Sequence, residues 1–141
     1  MIAAGSVVDR AGLLPVDADM SREPVHIKRA YDPSADGDGH RVLVDGMWPR
    51  GVRKADAAIH AWPRELAPSK SLRQWFGHDP DRFDTFRACF REELASSDAA
   101  RAELERLHEQ RLETPVTLVY AARNRDCNNA VVLQELLTEQ R

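Results

Sequence analysis

The chain has 141 residues, 43% of them hydrophobic and 30% charged, with a formal net charge of -3. That length fits one domain able to bury roughly two thirds of the surface its unfolded form exposes, and the composition excludes wholesale disorder. The charge argues against a general nucleic-acid binder, whose affinity rests on a clustered excess of Lys and Arg, although it leaves room for a local basic pocket.

Cys89 and Cys127 are too few to staple such a domain, and the four-ligand cysteine and histidine spacings of a structural zinc site are missing. No apolar run reaches the ~18–20 residues of a membrane span. A reduced, cytoplasmic protein with no membrane association and no metal is expected.

Residues 1–23 differ from the rest, because Ala3, Ala4, Gly5, Gly12 and Pro15 break any helix or strand period. They read as a disordered N-terminal extension ahead of a single domain at 24–141. From Val25 to Tyr31, Val25, Ile27, Arg29 and Tyr31 alternate with His26, Lys28 and Ala30, which predicts a strand with one polar face. Residues 32–39 form a turn-rich loop. Its aspartates, Asp32, Asp36 and Asp38, match a calcium loop only loosely, lacking the distal Glu and the flanking helices, so a solvated loop is expected.

The second strand, Arg41-Val42-Leu43-Val44-Asp45, carries the unbroken apolar run expected when both faces are covered. Beyond it, Trp48, Pro49, Arg50, Gly51, Arg53 and Lys54 combine an aromatic plane, a fixed φ, a flexible glycine and three cations. That composition suits an anion or a flat ring. The same residues read equally well as a core tryptophan among solvated cations.

A helix or extended passage is expected around 57–66, then a short helix with Leu72, Trp75 and Phe76, capped by Ser69 or Ser71. Asp79-Pro80 opens the clearest helix, with Phe83, Phe86, Phe90 and Leu94 on one face and Cys89 expected as a buried, inert thiol. Ser97-Asp98 caps another helix, with Leu104 and Leu107 on one side and Arg101–Glu105 pairing outside. Pro115 ends it, and a strand at 116–122 follows. Asp126 or Asn128 then caps a last helix whose Val132, Leu133, Leu136 and Leu137 face the core. Helix followed by strand predicts a three-layer α/β domain with a small, mostly parallel sheet flanked by helices.

If the two strand ends are neighbours, Asp45, Trp48 and Arg50 meet Arg123, Cys127 and Asn128 in one cleft, with residues 75–79 as its roof. The last helix begins there, and its free N–H groups favour an anion. Arg50 and Arg123 would clamp it, Trp48 or Trp75 would stack on a ring, and Asn128 would add a contact. Asp45 and His78 are the candidates for proton transfer. Each has a structural alternative: Asp45 anchoring the Trp48 loop, His78 bridging its turn. Cys127 at a helix start is a weaker nucleophile candidate, because the Gly-rich loop of a cysteine phosphatase is missing.

The motifs Arg41–Asp45 with Trp48-Pro49-Arg50-Gly51, Leu66-Ala67-Pro68-Ser69, Trp75 to Pro80, and Tyr120-Ala121-Ala122-Arg123 with Asn128 and Ala130–Leu133 occur in order from about Ile27 to Leu137. In them the chain resembles the DUF488 family, in particular its short bacterial YeaO-like members. The resemblance implies a compact α/β fold and, the family having no assigned function, supplies no reaction. Two departures stand out: Gly46 where members often carry Arg, and Cys127-Asn128-Asn129 where they often carry His-Asn-His. If those histidines bind a metal or move protons in relatives, that ability is absent here.

The leading expectation is an enzyme or binding protein for a small anionic or nucleotide-like ligand at the strand-end cleft. The alternative is a non-catalytic regulatory or partner-binding module. A DNA-binding regulator is disfavoured, since no helix-turn-helix with a basic recognition helix is present. Neither cofactor nor oligomeric state follows from the residues.

Overall fold

The structure is a computed structural model that describes residues 24–139, so the expected N-terminal extension lies outside the described residues. Its sheet has three parallel strands in the order β1 (Val25–Arg29), β3 (Val116–Tyr120), β2 (His40–Leu43). Val116 pairs with both Val25 and His40, and Leu118 with both Ile27 and Val42. The last strand in sequence is central for a physical reason: all five of its residues, Val-Thr-Leu-Val-Tyr, are buried, as a strand covered on both faces requires.

Alternation along the strands divides the core in two. Val25, Val42, Val44, Val116, Leu118 and Tyr120 meet the helical layer, in which Phe86, Phe90, Leu133 and Leu137 are almost wholly buried. That layer contains α2 (Lys70–Phe76), α3 (Phe83–Ala95), α4 (Asp98–Gln110) and α5 (Asn129–Glu139), numbered after the single-turn α1 (Lys54–Ala57). Phe86 stacks on Phe76 with centroids 4.4 Å apart and leans on Phe90 at 5.5 Å. Ala30, Leu43 and Val119 face the other way, under Trp48, Val52, Ile59 and Trp62 from the loops around α1. Helices, sheet and loop-rich layer make a three-layer α/β domain.

The loop between β1 and β2 must travel from the end of one outer strand to the start of the other, and Asp38 pins it. This residue, expected in a solvated loop, is only 7% exposed. Its carboxylate accepts from Lys28 Nζ of β1 at 2.9 Å and from Arg41 Nη1 of β2 at 2.6 Å, and its carbonyl accepts from Thr117 Oγ1 of β3 at 2.7 Å. One residue thus ties all three strands on the face away from the helices. Arg41, itself 2% exposed, also donates through Nε to the Ala57 carbonyl.

The strands end about two residues before the expected limits, and the expected passage at 57–66 is divided. Lys54–Ala57 is helical, Ala58 turns left-handed at φ 50°, and His60-Ala61 runs along β2, the Leu43 N–H donating to the Ala61 carbonyl. The His60 Nδ1 accepts from the Arg41 N–H at 2.9 Å, so an imidazole stands in for a ladder carbonyl. Pro80–Arg82 is a 3-10 turn before α3.

Cys89 is exposed, not buried: it lies about 100° round α3 from the Phe83, Phe86, Phe90 and Leu94 seam. The charge pairs on α4 also differ from the expected ones, Arg101 pairing with Asp98 and Arg106 with Glu103. Among the described residues no helix is long and apolar enough to cross a membrane.

Candidate functional site

The C-terminal ends of β2 and β3 lie side by side, and the chain leaving β3 turns into α5 at the same place. Such a switch point leaves a crevice, because the segments leaving neighbouring strands part to opposite sides of the sheet. Here it is a cleft of about 730 Å³, roofed from the side by α2 and its following turn. Asp45, Trp48, Arg50, His78, Arg123 and Asn128 all line it, together with Arg73, Asn129, Tyr31, Met47, Phe76 and Phe86.

Asp45 is fixed at the seam between the strands. Its Oδ2 accepts from the Ala121 N–H at 2.9 Å, extending the β2–β3 ladder by a side chain, and its Oδ1 accepts from Asn129 Nδ2 at 3.1 Å. Asn129 also donates to the Val44 carbonyl at 3.0 Å, and the Asp45 carbonyl accepts from the Trp62 indole at 2.7 Å. Burial pushes the Asp45 carboxyl above its usual range; the bonds from Asn129 and Ala121 and the charges of Arg73 and His78 pull the other way without cancelling it. Asp45 therefore anchors the strand ends and the helix start; the Trp48 loop, which it was expected to anchor, is held instead by the Trp48 indole on the Val52 carbonyl and the Tyr31 hydroxyl on the Arg50 carbonyl.

His78 is exposed and sits in the left-handed region at φ 60°, directly after Gly77 at φ 55°. Two such residues in succession swing the chain off α2 and bring the imidazole to the cleft, 6.2 Å from the Phe76 ring. Trp75, like Cys127, is a candidate that the fold places elsewhere. It does not line the cleft; it is 42% exposed, with the Arg82 guanidinium 5.2 Å over its ring. On α2 the buried seam is Leu72 and Phe76, and at about 100° per residue Arg73 and Trp75 flank it on opposite sides. Arg73 takes the cleft side, its Nη1 about 3.5 Å from where a β-carbon on Gly46 would stand. Sequence reasoning missed Arg73, and that same helical phase was the signal for it.

The cleft arginines differ from most of the others, although Arg64, 4.1 Å over the Trp62 ring, also forms no salt bridge among the described residues. Arg41, Arg53, Arg82, Arg87, Arg91, Arg101, Arg106 and Arg125 each pair with a carboxylate. Arg50, Arg73 and Arg123 form no salt bridge among the described residues. At the rim, Arg29 is consumed by the Ala121 and Ala122 carbonyls and Arg125 by Asp32, while the Tyr31 hydroxyl holds the Arg50 carbonyl at 2.9 Å.

Asn128, not Asp126, caps α5: its Oδ1 accepts from the Val131 N–H at 3.1 Å and its Nδ2 donates to the Asn124 carbonyl at 2.8 Å. The Asn124 side chain in turn accepts from the Asp126 and Cys127 N–H groups. These bonds commit Asn128 to the helix start. Cys127 packs against the helical core and does not line the cleft. Trp48 is held by its indole N–H on the Val52 carbonyl at 2.7 Å and by an edge contact with Trp62. Among the described residues no group of three or more His, Cys, Asp or Glu is placed to hold a metal ion.

The model of a family described as the inactive DUF488-N3 subclade matches residues 24–141. An uncharacterized protein of Mycobacterium tuberculosis is 45% identical over 113 residues, covering 80% of this chain and 92% of its own. The uncharacterized protein YeaO of Escherichia coli is 40% identical over 113 residues, covering 80% of this chain and 96% of its own. No solved structure matches the chain.

Proposed function

The chain belongs to the DUF488 family, and on that premise we propose that it is a binding protein for a small anionic or nucleotide-like molecule, held in the strand-end cleft and not turned over. The observation that carries the reading is the contrast among the arginines. Eight guanidinium groups elsewhere are neutralised by carboxylates, whereas Arg50, Arg73 and Arg123 share one cleft without such a partner. Unpaired cations around a concave surface draw in an anion, and guanidinium groups hold carboxylate or phosphate bidentately. Arg50 and Arg123 bind the anion from the loops, Arg73 closes it from α2, and Trp48, Phe76 and His78 supply flat or apolar surface. Asn128 acts through the helix start that it caps.

Binding is favoured over catalysis by the word inactive in the family description and by the ties on Asp45, each of whose oxygens already holds a protein donor. A cytoplasmic site of action goes with this reading, both cysteines being free thiols. A second reading, a partner-binding module, draws on the exposure of Met47 (69%) and Tyr31 (47%) at the cleft rim.

Thermal-shift measurements against inorganic phosphate, nucleoside monophosphates and metabolite carboxylates separate the two. A ligand at 100 times its dissociation constant adds about 2.7 kcal/mol to stability. The expected result is a shift that Arg50→Ala or Arg123→Ala removes while each variant keeps its own melting temperature. No shift across the panel, with capture of a protein partner that Met47→Asp abolishes, would replace the anion reading with the second one.

A further inference from the structure

We propose that Asp45 is the specificity-determining residue of the cleft, selecting anions that carry a neutral ring edge with two adjacent N–H donors, the 2-amino-4-oxopyrimidine edge shared by guanine nucleotides and pterins. This rests on the reading of the cleft as an anion site and names the chemistry of its ligand.

The premise is a contradiction in charge. A carboxylate lining an anion cleft repels the ligand, and Asp45 has no salt-bridge partner among the described residues to silence it. It is also held too rigidly to swing away. The Ala121 N–H fixes one oxygen and Asn129 Nδ2 the other, while Asn129 is itself held by the Val44 carbonyl. Each carboxylate oxygen has used one acceptor position and keeps another. Because Asp45 lines the cavity, a bound molecule meets a fixed pair of acceptors on a half-buried carboxylate whose contact with water is already reduced. Such a group is stabilised by donors, and a ligand with none pays its full desolvation.

The surroundings narrow the donor. Arg73 and His78 act on Asp45 electrostatically, so an ammonium or amidinium brought to the same point would be repelled by the Arg73 guanidinium. A neutral donor is not. Two parallel acceptors match two parallel N–H groups, a ring N–H beside an exocyclic amine, more closely than a lone hydroxyl. The rest of the cavity suits a plane with an acidic end: Phe76, Phe86 and Pro68 give apolar wall, the Trp48 ring is locked in orientation, and Arg50 and Arg123 stand at the exposed end. A cavity of about 730 Å³ lies within the range that holds a molecule of this size.

Titration calorimetry on the full chain tests this with inorganic phosphate, ribose 5-phosphate, guanosine 5'-monophosphate, its N1-methyl derivative and pterin-6-carboxylate. Guanosine monophosphate is expected to bind roughly 10- to 100-fold tighter than ribose 5-phosphate, the discrimination of a good bidentate pair. N1-methylation is expected to erase that gain. Asp45→Asn, which replaces one acceptor by a donor, is expected to erase it too while ribose 5-phosphate binds the variant as well or better. The methylated probe needs no variant, so the test stands even if Asp45→Asn folds poorly. Pterin-6-carboxylate binding tighter than the nucleotide would assign the edge to a pterin, and the reverse to a nucleotide. Equal affinity for ribose 5-phosphate and guanosine monophosphate would overturn the inference and leave the anion site standing. Failure of every probe, or binding indifferent to Arg50→Ala and Arg123→Ala, would overturn both.

Discussion

Asp38→Ala is the substitution to which this fold should be most exposed. The carboxylate holds Lys28 Nζ at 2.9 Å, Arg41 Nη1 at 2.6 Å and the Ala35 N–H at 3.0 Å, and the Arg41 side chain is only 3% exposed. Removing it leaves a buried guanidinium with the Ala57 carbonyl as its remaining partner, and Nη2 has none even in the native protein. Stripping one member from a buried ion pair costs about 3–5 kcal/mol, chiefly because the other charge stays behind. For a domain of this size that is a fall in Tm of roughly 10–20 °C. Urea unfolding followed by far-UV circular dichroism reads it directly, as a lower midpoint at constant slope.

Two further measurements identify the cause. Asp38→Ala combined with Arg41→Met removes both charges and should be more stable than Asp38→Ala alone. The pH profile has a defined sign. Burial pushes the Asp38 carboxyl up, but hydrogen bonds from Lys28, Ala35 and Arg41 outweigh it and hold the group below its usual 3.8. Its stabilisation is therefore present above that value and lost as pH falls through the depressed one. The native protein should lose stability on that acid limb, and Asp38→Asn should lose less. A single variant Asp38→Ala within about 1 kcal/mol of native at neutral pH would show that this buried carboxylate does not hold the strands together.

Gly39→Ala should cost at least about 3 kcal/mol, since φ is 64° and a β-carbon would stand 2.1 Å from the Pro115 carbonyl oxygen; Gly37→Ala, with nothing within 4 Å, is the control whose equal loss in urea unfolding would sink the argument. Asn128→Ala should lower stability by about 1–2 kcal/mol through loss of the α5 cap, seen as a lower urea midpoint, and a neutral result would remove Asn128 from that role. For Asp45, whose carboxyl is raised mainly by burial, stability is present below the usual 3.8 and lost as pH rises through the raised value. Asp45→Asn should therefore gain on the native protein as melts move from pH 4 to pH 7, and a difference that does not change with pH would contradict it.

Much of the site was legible because it is local to strand ends. An apolar run at 42–44 that stops at Asp45, and another at 116–120 that stops before Arg123, mark carboxyl ends whatever the strand order, and parallel sheets gather such ends on one side. Helix starts were legible for the same local reason: Ser69 and Ser97 cap their helices through the Leu72 and Ala100 N–H groups. The phenylalanine stripe of α3 carries its own period, and the family match runs over residues 24–141.

What the chain alone determined about this protein, then, is the sequence of elements, their buried faces and the stretches that end at the cleft, because each depends on neighbours within one or two turns or strand steps. The tertiary structure alone decided that β3 lies between β1 and β2, that Asp38 sinks beneath the sheet to meet Lys28 and Arg41, and that Asn129 reaches Asp45. Such pairings reach residues 84 positions apart for Asn129 and Asp45 and further still for β1 and β3, and a charge's burial or partner across such a distance is set by where the backbone folds it, to which no local pattern of residues responds.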